Sequence, residues 1–127
     1  MDISEHMRIG PLDTHVRVEI DGVAIADSRR PMVLREKGFP PRYYLPREDV
    51  RFDLLERTEA TTHCPIKGDA SYFSAKVGDT VHKDVVWSYE SPIPEAEDVA
   101  GLVAFFDEKV DVYLDDELQE RPVTKFS

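Results

Sequence analysis

Ser71-Tyr72-Phe73-Ser74-Ala75-Lys76-Val77-Gly78-Asp79-Thr80-Val81-His82-Lys83-Asp84-Val85-Val86-Trp87-Ser88-Tyr89 is the stretch that decides the fold. Apolar and polar residues alternate on both sides of Gly78-Asp79, and a glycine first in a two-residue turn suits the type II′ geometry that joins antiparallel strands. The stretch therefore predicts a hairpin of Ser71 to Val77 and Thr80 to Tyr89. With that turn, Val77 lies opposite Thr80, Tyr72 opposite Val85 and Ala70 opposite Trp87. Tyr72, Trp87 and Tyr89 then share one face of the sheet, while Phe73, His82 and Val86 take the other. A row of large aromatics with polar handles suits either a core wall or the wall of a ligand pocket.

Similar signals recur outward from this hairpin. Val16, Val18 and Ile20 alternate with polar residues, Asp21-Gly22 supplies a primed turn, and Val23 to Asp27 resumes the apolar run. Leu102 to Phe106 and Val110 to Leu114, joined by Asp107-Glu108-Lys109, read as a third hairpin. Pro94, the acidic residues after it and Gly101 mark one short helical turn. Pro40, Pro41 and Pro46 make Gly38 to Asp49 an ordered loop, with Arg42 to Leu45 fit for a sheet edge. Short strands with turn signals every 8 to 12 residues or so predict a mainly β fold with one short helix. Its antiparallel sheets would pack as a sandwich or a partly open barrel. Residues 15–118 are expected to form a single β domain between a flexible N-terminus, 1–14, and a C-terminal tail, 119–127.

At 127 residues there is room for one core. The formal net charge of -10 disfavours nonspecific binding to nucleic acid, and no apolar run approaches the roughly 20 residues of a membrane span. One cysteine and a start without an apolar leader point to a reducing cytoplasm. Charge is unevenly spread. Arg29 to Arg51 holds seven Lys/Arg against three Asp/Glu, whereas Glu90 to Arg121 holds two against eleven. The basic segment can favour an anion, or the two segments can attract each other or stand as solvated faces.

Reactive side chains are densest from Thr61 to Tyr72. In an extended Thr61 to Cys64, His63 and Cys64 point to opposite faces and cannot act as a nucleophile and base pair, so Cys64 reads as a small structural hydrophobe. Cys64 and the scattered His6, His15, His63 and His82 lack zinc-site spacing, and Lys67-Gly68 lacks the upstream glycines of a phosphate loop. No metal and no cofactor is expected.

The strings Val23-Ala24-Ile25-Ala26-Asp27-Ser28, Pro41-Arg42-Tyr43-Tyr44-Leu45-Pro46-Arg47-Glu48-Asp49-Val50, Thr62 to Tyr72 and Trp87-Ser88-Tyr89 occur in order. In them the chain resembles a bacterial domain of unknown function, number 427, sometimes labelled nucleotidyltransferase-like, from about Val16 to Leu114. The resemblance implies a β-tent-like fold, two antiparallel sheets leaning together at an angle. Some β-tent relatives hold small cyclic ligands in an aromatic cage, which Trp87, Tyr89 and Tyr72 could resemble; the paired zinc-binding cysteines of others are missing here. The expected role is therefore a small-molecule binding domain, or an enzyme of unassigned reaction, taking an anionic ligand. Trp87, Tyr72, Tyr44 and Tyr89 would wall the pocket, Arg42 and Lys67 would hold the anion, and His63 and Asp69 would polarise or orient. The alternative is a protein-interaction or homo-oligomerising module using exposed edge strands. Nucleotidyl transfer ranks last, because paired metal-binding carboxylates and a glycine-rich phosphate loop are not evident.

Overall fold

The computed structural model describes residues 7–127. Its strands are β1 (Met7–Pro11), β2 (Val16–Ile20), β3 (Val23–Ser28), β4 (Met32–Glu36), β5 (Arg42–Tyr44), β6 (Leu55–Cys64), β7 (Gly68–Val77), β8 (Thr80–Ser88), β9 (Ala104–Phe105), β10 (Asp111–Leu114) and β11 (Glu117–Leu118). They form three antiparallel sheets, ordered β1-β4-β5, β11-β10-β2-β3 and β6-β7-β8-β9. Among the described residues the helical segments are short 3-10 turns at Arg47–Asp49, Phe52–Leu54 and Pro94–Val99. The fold is thus mainly β and antiparallel, as the turn spacing predicts. No helix among the described residues is long and apolar enough to cross a membrane.

The β6-β9 sheet is the middle layer, because both of its faces are covered. One face sends Phe73, Val86 and Phe105 against Val16, Val18, Ile20 and Val112 of the β2-β10 sheet. The other sends Ala70, Trp87 and Ala104 against Met7, Leu34 and Tyr44 of the β1-β5 sheet. Period-two alternation along each strand makes both cores from one set of strands. Reciprocal backbone hydrogen bonds of 2.8 Å between Leu45 and Val103 tie the end of β5 to the start of β9.

The predicted turns form with the expected backbone. Asp21 and Gly22 both have positive φ, 51° and 78°, while at Gly78-Asp79 only Gly78 does, at 59°. The register changes further along the second hairpin. Val77 faces Thr80, but Tyr72 faces Trp87 instead of Val85, because a bulge around Asp84 inserts extra residues into β8 opposite Ser74. Asp84 takes a φ of 53°, and its amide is held by Ser74 Oγ at 3.1 Å. The slip is an even number of residues, so Tyr72 and Trp87 keep one face and Phe73 and Val86 the other, while Val85, inside the bulge, turns to the Val86 side.

Three expectations need correction. Leu102 to Phe106 and Val110 to Leu114 do not pair with each other, since β9 pairs with β8 and β10 pairs with β2. The Asp107-Glu108-Lys109 segment crosses between sheets and carries a buried carboxylate. The chain is not loose up to residue 14, because β1 pairs with β4 from Met7 to Pro11; residues 1–6, including His6, lie outside the described residues. Nor is the segment after Leu118 a free tail. Gln119 N donates to Val112 O, and Thr124 Oγ1 donates to Glu108 Oε2 at 2.5 Å.

Candidate functional site

The face of the middle sheet turned toward β1-β5 is incompletely filled. Trp87 and Tyr72 stand opposite each other on β8 and β7, and Phe106 follows β9, its amide bonded to Val85 O at 2.9 Å. The Phe106 ring lies 4.6 Å from Trp87 and 6.4 Å from Tyr72, nearly parallel to the latter. Beside these rings opens a cavity of about 360 Å³, bounded also by Leu34, Glu36, Phe39 and Pro40 of the β4-β5 segment and by Lys125 and Phe126. Such a volume is at the low end for ligand pockets and suits a compound of one or two rings.

Of the residues expected at a site, Arg42, His63, Lys67, Tyr72, Trp87 and Tyr89 line this cavity. Tyr44 and Asp69 do not. Tyr44 is fully buried behind Trp87, whose Nε1 donates to its hydroxyl at 3.0 Å. Asp69 is exposed and faces His63 across the β6-β7 ladder, 2.7 Å from its Nδ1. His63 is itself largely exposed, at the cavity's edge. Cys64 is half-buried against the aromatic cluster.

Lys67 is placed by the turn that the sequence marks. Gly68 has a φ of 118°, and a Cβ there would meet Pro92 Cα at 3.1 Å, so only glycine lets the 90s loop close on this turn. Ile93 N then donates to Lys67 O. The Lys67 side chain crosses to Glu36 Oε1 at 2.7 Å with its ammonium 5.7 Å from the Tyr89 ring centroid. Thr62 Oγ1 and the Tyr72 hydroxyl share a 2.8 Å hydrogen bond.

Arg42 is the main correction. Its Nη1 and Nη2 donate to the two carboxylate oxygens of Glu108 at 2.7 and 2.8 Å, and both side chains are buried. A guanidinium committed in this bidentate way has lost the fork with which it was expected to grip a ligand. Burial alone would raise Glu108, but hydrogen bonds from Arg42 and Thr124 outweigh it and hold the acid at about 2. Its neighbour Asp107 has no such donors among the described residues, and burial lifts it to about 7 against the pull of Arg42. Arg47 likewise crosses to Glu90 at 2.9 Å. The basic and acidic segments therefore do attract each other at these two arginines.

Lys125 replaces Arg42 as the available cation. Lys67 and Arg42 are paired with carboxylates, whereas among the described residues the Phe39 and Phe126 rings, 5.7 and 5.2 Å away, are the partners of Lys125. Phe106 was findable from its period of two with Ala104. Glu36, Phe39 and Glu108 sit in loops or at strand ends without periodicity, and Lys125 and Phe126 sit in a segment with no pattern at all. Among the described residues no group of three His, Cys, Asp or Glu side chains is close enough to hold a metal ion.

A family model described as a domain of unknown function (DUF427) matches residues 8–116, most of the chain. The match ends before Thr124, Lys125 and Phe126, so the outer wall of the cavity comes from residues beyond the matched stretch. No curated protein matches the chain.

Proposed function

We propose, from the premise that this chain belongs to the DUF427 family, that it is a cytoplasmic small-molecule-binding domain whose cavity takes a compact, partly planar anion. The observation that carries this reading is one cavity walled by Trp87, Phe106 and Tyr72 with the ammonium of Lys125 at its rim. Flat apolar rings match a planar ligand, and a cation with no carboxylate partner among the described residues matches its charge. The remainder of an acidic chain repels anions, so a locally basic mouth also selects where an anion enters.

The chain carries one tryptophan, Trp87, and it lines the cavity, so its fluorescence reports occupancy directly. A thermal-shift screen of metabolites, followed by Trp87 titrations, should return planar carboxylates or phosphates. Lys125→Ala should weaken the best of them about fivefold to tenfold at low salt, and less at high salt. A screen with no binder, or binders indifferent to charge, overturns the reading.

A further inference from the structure

Among the described residues the hydroxyl and indole N–H groups of the wall are paired, with one exception. Tyr44 accepts from Trp87, Tyr72 pairs with Thr62, and Ser88 Oγ donates to Leu102 O at 2.7 Å. Tyr89 is 6% exposed, yet among the described residues its hydroxyl has no hydrogen-bond partner. No buried side-chain oxygen or nitrogen among the described residues is both sealed from solvent and unpaired, and the open space that Tyr89 lines is the cavity. We propose that Tyr89 is a specificity-determining residue, its hydroxyl hydrogen-bonding a polar group on the ring of a planar anion whose charge faces Lys125. The ligand class is thus a ring compound polar at both ends, such as a hydroxylated aromatic carboxylate.

Depth supports this assignment. Lys125 packs on Phe39 and Phe126, which are 40% and 38% exposed and form the rim, whereas Tyr89 lies among buried residues. Burial raises the Tyr89 phenol further above its usual range, so the hydroxyl keeps its proton and can donate. Lys67 is held by Glu36 and covers the Tyr89 ring, leaving the hydroxyl as the uncommitted group among the buried wall residues. A polar group left unpaired in a site discriminates strongly against ligands that cannot satisfy it.

This inference rests on the proposed binding role, and its test separates the two. The probes are 4-hydroxybenzoate, benzoate and 4-hydroxybenzamide, titrated against wild type and Tyr89→Phe by Trp87 fluorescence and calorimetry. In wild type, 4-hydroxybenzoate should bind about tenfold more tightly than benzoate, and the ratio should fall to near one in Tyr89→Phe. The amide should bind more weakly than the acid in both proteins. Without ligand, Tyr89→Phe should melt where wild type does, because no internal bond is lost. Probes that bind with the same ratio in both proteins overturn the Tyr89 assignment and leave the cavity reading standing; failure of every probe to bind overturns both. A lower melting temperature for unliganded Tyr89→Phe would show the hydroxyl to be satisfied within the protein and also overturn the assignment.

Discussion

The two faces of the middle sheet are built by adjacent residues of the same strands, Tyr72 beside Phe73, Trp87 beside Val86 and Ala104 beside Phe105, with Phe106 just past β9. Toward the β2-β10 sheet go side chains without polar atoms, and they interlock with valines and isoleucines. Toward the β1-β5 sheet go aromatics, mostly with a hydroxyl or an indole N–H, and they leave a cavity. The first face accounts for cohesion, since close packing of apolar surface is its whole chemistry. The second has given up some packing for polar groups that need partners, which is what a binding surface requires and a core does not.

The largest effect should separate the faces outright. Phe73 is 4% exposed and meets Phe52 edge-on at 5.7 Å, so Phe73→Ala should cost about 3 to 5 kcal/mol in urea unfolding. Tyr72→Phe, on the other face, loses one outlying hydrogen bond to Thr62 and should cost about 1 kcal/mol or less. Similar losses at the two positions would break the distinction between a packed core and a binding wall.

The hairpin over Ser71 to Tyr89 was legible because Gly78-Asp79 fixes both the turn and the parity of the strands that leave it. The bulge at Asp84 was not, since a lone aspartate without a following glycine does not mark a turn inside a strand, and the flanking faces survived only because the slip is even. Strand existence was legible for β9 and β10, but the choice of partner was not, because alternation names a buried face and not the neighbour. The cavity's aromatic wall followed from parity. Its charges did not, because Glu108 is one acid in an acidic run, and nothing local marks it as the carboxylate that reaches Arg42.

A second, smaller effect sharpens the comparison at the turn that leaves the polar face. Asp107 borders a further cavity of about 210 Å³ with Tyr43 and Val112. Its acid is raised from 3.8 to about 7, so between those values the folded chain holds a proton that the unfolded chain releases. Stability from this group therefore falls as pH rises through that window, and the loss is complete above 7. Glu108 beside it runs the other way: its contribution is present above about 4.5 and is lost as pH falls toward 2. Asp107→Asn should match wild type near pH 4 and exceed it by about 1 to 3 kcal/mol at pH 8, read from urea midpoints. Equal stability at pH 8 would mean that Asp107 is ionised there without cost.

The smallest effect on stability tests how the polar face is closed. Phe126 covers Phe106 at 5.4 Å, yet the segment that carries it forms no strand, and near that ring contact it is tied by Thr124 Oγ1 to Glu108 and by Lys125 on Phe39. The same hydroxyl accepts the Phe126 amide at 3.0 Å, so Thr124→Val removes both bonds while keeping the side chain's shape. The loss should be about 0.5 to 1.5 kcal/mol, because the bonds lie near solvent. Acrylamide quenching of Trp87, which is 7% exposed, should nevertheless rise clearly as the outer wall loosens. Phe73→Ala, measured under conditions where it stays folded, should leave that quenching near the wild-type value despite its larger cost. Reversal of that pattern, with quenching following stability and not the wall, would mean that Trp87 is protected by the sheet alone and that the C-terminal segment has no part in enclosing the cavity.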